Sequence, residues 1–189
     1  MKIQPSVRYS HTLLSQLVQN GDTVVDATVG KGNDTEFLSQ LVGEHGKVYG
    51  FDVQAEAINY TKQRLDDKNL CNNVTLFNTG HENVAKLVDE SINAAIFNLG
   101  YLPGSNKDII TKPDTTLTAI KACLEKLEVN GIVVLVLYYG HDGGPQEKDA
   151  VIQYAQSLDQ KAFSVMQYQF INQVHCPPIL LAIQKIPTN

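Results

Sequence analysis

A glycine-bearing turn, Val25-Asp26-Ala27-Thr28-Val29-Gly30-Lys31-Gly32-Asn33-Asp34-Thr35, lies between a β-branched run and a helix-forming stretch. Glycines at such a turn let a ligand approach the backbone, and the amides that open a helix offer an anion site. Asp52 closes the next apolar run, 22 residues beyond Gly30. Its two carboxylate oxygens match two adjacent ribose hydroxyls, so a nucleotide-bearing cofactor fits this pair of features. An N-cap of the following helix is the other reading of Asp52. Thr35 replaces the third glycine of a dinucleotide fingerprint, which makes a nicotinamide oxidoreductase the weaker reading. Lys31 is followed by Gly32 rather than Ser or Thr, so no P-loop is formed.

A second group of residues could act on a substrate. Asn98-Leu99-Gly100-Tyr101 directly follows the fourth apolar run, where open α/β sheets place their ligands. It resembles the Asn-Pro-Pro-Tyr motif of amino-nitrogen methyltransferases, with Leu99 and Gly100 in place of the prolines. In such a motif the Asn oxygen and a backbone carbonyl accept hydrogen bonds from an amine, while the aromatic ring stacks on a base. The other reading has Asn98 capping a turn and Tyr101 packing on the sheet rim.

A protonated alkylamine must lose a proton before it attacks, and His141, Asp142 and His81 are candidates to favour the neutral form. His141 ranks first because Gly140, Gly143 and Gly144 give its loop close approach, although a surface histidine without a task reads equally well. Lys107 and Lys112 form a basic pair suited to phosphates or simply to a solvated loop. Tyr138 and Tyr139 could stack on a base or belong to the core. Ser10 and His11, early in the first helix, could close over the site, though a helix-start role explains Ser10 as well.

The elements that must position these residues follow from periodicity. Strand-like runs at 23–27, 47–51, 74–77, 94–97 and 131–137 alternate with helical stretches at 6–19, 35–41, 54–68, 81–88, 115–127 and 147–157. The alternation predicts a mostly parallel sheet with right-handed crossovers. Segments 163–172 and 179–185 leave no room for a crossover helix, so they should form an antiparallel hairpin turned at Pro177 and Pro178. The expectation is an α/β, Rossmann-like, seven-stranded sheet in a single domain, 1–189.

Composition bounds the rest. The chain has 189 residues, 43% apolar and 19% charged, an ordinary globular balance. Its longest apolar run is far too short to span a bilayer, which predicts a cytoplasmic protein with no membrane partner. Cys71, Cys123 and Cys176 form no CxxC pair, so neither a zinc site nor a disulfide framework is expected. A net charge of −5 gives no global attraction to phosphate, so a nucleic acid would be held by a local patch.

The segments Asp26–Thr35, Phe51–Gln54, Asn98–Gly104 and Tyr139–Glu147 together resemble the rRNA methylase family over nearly the full chain. The last two segments are the more specific. The resemblance implies a class I methyltransferase that uses S-adenosyl-L-methionine. It implies a substrate in the tRNA anticodon stem-loop, where the aminomethyl nitrogen of a wobble-position 5-aminomethyl-(2-thio)uridine receives the methyl group, and it implies a homodimer. Carried over, the family pattern puts Lys31 and Asn33 at the methionine part of the cofactor, Asp52 and Gln54 at ribose and adenine, and Gly80 and His81 beside adenine. Asp26 and Gly30 of the same turn are expected around the cofactor, with Asn98, Tyr101 and His141 at the reaction. The alternatives are an rRNA or small-molecule methyltransferase, or a nucleotide-binding module without turnover.

Overall fold

A computed structural model describes residues 3–100 and 112–188. Seven strands are formed by these residues: β1 Thr23–Asp26, β2 Lys47–Phe51, β3 Val74–Phe77, β4 Ile92–Leu99, β5 Leu127–Leu137, β6 Phe163–Tyr168 and β7 Ile179–Lys185. They lie in the order β3-β2-β1-β4-β5-β7-β6. The first five are parallel, and β7 runs antiparallel between β5 and β6. Six α-helices connect them: α1 Ser6–Leu17, α2 Asn33–Val42, α3 Ala55–Asp66, α4 Val84–Leu87, α5 Pro113–Lys126 and α6 Gly144–Gln156.

The expected seven-stranded α/β sheet is present, with shifted bounds that have local causes. The helix expected over 81–88 is a 3-10 turn, His81–Asn83, followed by the single turn of α4. β6 stops at Tyr168, short of the expected 172, where its pairing with Leu180 ends. β5 starts at Leu127 because Leu127 pairs with Ile92 across a register shift. β4 extends to Leu99, so Asn98 belongs to the strand and does not follow it.

That last difference matters for the site, because side chains alternate faces along a strand. Ala94 and Ile96 pack with Leu14 and Val18 at the end of α1 and with Leu38 and Val42 of α2. Ala95 and Phe97 pack on the opposite face with α5 residues such as Ala119 and Ile120. Period two therefore turns Asn98 toward the face that α1 and α2 cover. Ser6, Ser10 and Leu14 form the buried stripe of α1, and Ser6 Oγ donates to the Pro178 carbonyl at 2.6 Å, which ties the helix to the hairpin.

The turn after β1 is fixed from beneath. Asp26 is fully buried; its Oδ2 accepts from Thr35 Oγ1 at 2.6 Å and its Oδ1 from the Thr28 amide at 3.1 Å. Gly32 precedes α2 with φ +72°, and a Cβ there would stand 2.7 Å from Thr61 Cγ2. A left-handed conformation and a close helix α3 both demand glycine at this position.

Two outcomes follow. Gly32→Ala should cost about 1–3 kcal/mol, read as a lower urea midpoint with unchanged slope. Burial, followed by the nearby Asp34 charge, lifts the Asp26 carboxyl from 3.8 to about 7, against the lowering effect of its two hydrogen bonds. The unfolded chain thus gives up this proton near pH 4 while the folded chain keeps it to about pH 7. The stability contributed is complete below pH 4 and is lost as pH rises through about 7. Measured against Asp26→Asn, which keeps a neutral side chain, the wild-type advantage should shrink across that interval and level off above it; a parallel pair of pH profiles would refute this.

Candidate functional site

The carboxyl ends of β1, β2 and β4 open onto a cavity of about 730 Å³. This is the edge at which open α/β sheets bind ligands, and the volume lies within the range of small-molecule sites. Gly30, Lys31, Asn33, Asp52 and Gln54 line one side of it. Gly80 and His81 line a second part, and Asn98 stands with Gly100 and Tyr138 at another. Eight sequence-predicted site residues are thus brought to one cavity: Gly30, Lys31, Asn33, Asp52, Gln54, Gly80, His81 and Asn98.

Asp52 joins two loops. Its Oδ2 accepts from the Gly30 amide at 2.8 Å and its Oδ1 from the Gln54 amide at 2.9 Å. Each oxygen keeps acceptor capacity for a ligand hydroxyl. The N-cap alternative for Asp52 is not realised, because Gln54 occupies that position at α3 and makes no side-chain cap. Helix α2 likewise opens without a side-chain cap, and the first amides of an uncapped helix attract an anionic group.

His81 is buried, and its Nδ1 lies 3.0 Å from the Ala27 carbonyl. A carbonyl only accepts, so Nδ1 carries the hydrogen. Burial pushes the imidazole below its ordinary value, outweighing the upward pull of the Ala27 bond, so this ring is a neutral wall of the cavity. Beneath it, Thr116 Oγ1 donates to the buried Glu147 at 2.6 Å, which links α5 to α6.

Two sequence expectations change. Asp26 is not among the residues that line the cavity; its two oxygens accept from Thr28 and Thr35 under the loop. His141 is not on the cavity wall either. Its Nε2 lies 2.8 Å from the Tyr138 carbonyl and its Nδ1 2.9 Å from that of Asp142, so its own loop orients the ring. Tyr101 and Lys107 lie outside the described residues. Lys112 lines the cavity, as does Tyr138, whose hydroxyl burial and the Asp34 charge push up.

Asp34 is a residue of the cavity that the sequence reading did not single out. It is buried on the first turn of α2 and lines the cavity. Its Oδ1 lies 2.6 Å from His11 Nε2, and its Oδ2 accepts from Asn98 Nδ2. The Asn98 amide donates to Thr28 Oγ1 at 2.7 Å, while Asn98 Oδ1 is buried with no partner among the described residues. An unsatisfied buried acceptor costs about 1–3 kcal/mol, which a donor on a bound molecule would recover. No cluster of His, Cys, Asp and Glu able to hold a metal occurs among the described residues. Among them, no helix is long and apolar enough to cross a membrane.

Comparison with known proteins bears on the fold and the activity. Residues 48–184 match the family model described as "Putative rRNA methylase". The chain is 37% identical over 188 residues to the tRNA (mnm(5)s(2)U34)-methyltransferase, chloroplastic, of Arabidopsis thaliana, covering 93% of this chain and 68% of that protein. The crystal structure of a "putative rRNA-methylase" from Clostridium thermocellum superposes with a TM-score of 0.97 at 48% identity, over 98% of this chain and all of that one. A "putative methyltransferase" from Streptococcus mutans, solved in complex with SAH, gives a TM-score of 0.90 at 47% identity, over 98% of this chain and 100% of that one. With the match to the family model covering most of the sequence and a full-length structural likeness beside it, the chain belongs to the rRNA methylase family and is an S-adenosylmethionine-dependent methyltransferase.

Proposed function

We propose that the chain methylates the aminomethyl nitrogen of 5-aminomethyl-(2-thio)uridine at the wobble position of tRNA. The observation that carries this reading is the buried, unpartnered Oδ1 of Asn98 at the cavity, an acceptor waiting for an N–H donor. The Arabidopsis relative, a tRNA methyltransferase by name, supports the same substrate class.

S-adenosylmethionine supplies an electrophilic methyl group when bound. The residues present fit it: Asp52 offers acceptors for ribose hydroxyls, Gln54 and the neutral His81 flank the position for adenine, and Gly30 with Asn33 offers backbone for the methionine part. Lys31 is exposed at the mouth and can meet a carboxylate. Transfer to nitrogen is an in-line displacement, so the protein's task is to hold an amine with its lone pair aimed at the methyl group. Asn98 does this by accepting an amine hydrogen, and Tyr101 is assigned to stack on the base. His141, beside Gly100, is assigned to order the loop around the substrate. Lys112 on the wall supplies a positive charge for the anticodon stem-loop in a chain whose net charge is −5.

Incubation of the protein with labelled S-adenosylmethionine and total tRNA from cells lacking this enzyme should place label in 5-methylaminomethyl-2-thiouridine. Cofactor binding with no label in any tRNA nucleoside would sink the tRNA assignment and leave the methyltransferase intact. Asn98→Ala should lower kcat about 10²-fold through lost orientation, while cofactor affinity stays within about twofold. Asp52→Ala should instead weaken S-adenosylmethionine binding about 10- to 100-fold by calorimetry, since each charge-assisted bond is worth about 1.5–3 kcal/mol. Unchanged binding would remove Asp52 from the ribose site.

A further inference from the structure

Asp34 gathers three elements at one point: His11 reaches it from α1, Asn98 from β4, and Asp34 itself stands on the first turn of α2. Asp26 beneath it and Tyr138 beside it both respond to its charge, each being pushed up in part by Asp34. A carboxylate without its proton can only accept hydrogen bonds. The nitrogen of the Asn98 amide must therefore face Asp34, and the Asn98 oxygen must face away from it. That oxygen is the atom left buried without a partner among the described residues.

His11 closes the arrangement from above. Its Nε2 bears a hydrogen toward Asp34 Oδ1 at 2.6 Å, and its ring lies flat on Phe37, with centroids 4.0 Å apart and planes 2° from parallel. Phe37 is one turn along from Asp34 on α2, so the same helix holds both the carboxylate and the surface that aligns its donor. Of the Asp34 side chain only 10% is exposed, which keeps water from competing for these bonds.

We propose that Asp34 is the positioning residue of methyl transfer: it locks the Asn98 amide so that Oδ1 is the acceptor for the substrate nitrogen, and His11 locks Asp34. The inference rests on the reading of Asn98 given above. Asp34 acts through Asn98 and is not itself required to touch the reacting nitrogen. A change at position 34 that keeps a hydrogen-bonding side chain therefore affects turnover and leaves the Asp52 contacts to the Gly30 and Gln54 amides in place.

The test exchanges the two side chains. D34N and N98D should each lower kcat about 10²-fold on tRNA bearing the aminomethyl group, with the KM for S-adenosylmethionine within about twofold of wild type. N98D alone sets two carboxylates against each other. In N98D/D34N, the amide now at position 34 donates to the carboxylate now at position 98 and restores an oriented acceptor, so kcat should rise about tenfold above N98D. A double variant no better than the poorer single variant overturns the proposal. A second measurement needs no turnover: in SAH-bound, 15N-labelled protein the Asn98 side-chain amide signal, identified by its loss in N98D, should shift in D34A. No shift overturns the proposal. A wild-type protein that fails to methylate this tRNA would refute the substrate reading, and the amide signal would still decide the role of Asp34.

Discussion

A carboxylate that can only accept is the interaction on which one end of the cavity depends. Asp34 sits where α1, α2 and β4 meet, and its two oxygens are divided between His11 and Asn98. Remove the carboxylate and three things lose their definition together: the position of α1 over the cavity, the orientation of the Asn98 amide, and part of the field that keeps the Asp26 proton in place. Asp26 is the complementary anchor below. Its bonds to Thr28 and Thr35 hold the turn that lets Asp34 open α2 at the cavity. The Thr28 hydroxyl then accepts from the Asn98 amide, so the strand bearing Asn98 and the turn after β1 are joined twice, once through the backbone and once through side chains.

The fold was legible because its signals are local. Buried strands such as β4 and β5 read as continuous apolar runs, and the absence of any helical stretch between 163 and 185 predicted the antiparallel pair. The ends of elements were less legible because they are set by partners. Leu127 belongs to β5 only because Ile92 lies opposite it across a register shift, and nothing in the residues near 127 announces that pairing. The same holds for β4, whose extension to Leu99 moves Asn98 from a loop onto a defined strand face.

The gathering of Gly30, Asp52 and Gln54 at one cavity was legible for a related reason. Gly30, Asp52 and the residues after them sit directly after strands, and strand order brings such ends together without further information. His11, Asp34 and Asn98 stand 23 and 64 residues apart, on elements whose contact is decided by packing. One signal was available: Ser6, Ser10 and Leu14 make one buried stripe, and His11, adjacent to Ser10, must flank it. His141 was singled out from its glycine-rich loop, but the contacts of its ring were not legible there: its nitrogens lie near the Tyr138 and Asp142 carbonyls, which sequence spacing does not reveal.

Charge shapes how such a site can choose its substrate. The chain carries a net charge of −5, so long-range attraction to a polyanion is weak and the backbone of an RNA contributes little selectivity. Discrimination then falls on the pocket, where an oriented amide oxygen stands beside a carboxylate. Both groups accept hydrogen bonds and neither offers a donor toward a bound molecule once the Asn98 side-chain nitrogen is engaged by Asp34. Such a surface favours a group rich in N–H and leaves a bare carbonyl or a ring carbon without a partner, at a cost of about 1–3 kcal/mol for each buried polar group left unpaired. Specificity for an amine would thus arise less from contacts added for the right substrate than from acceptors that the wrong one leaves unsatisfied.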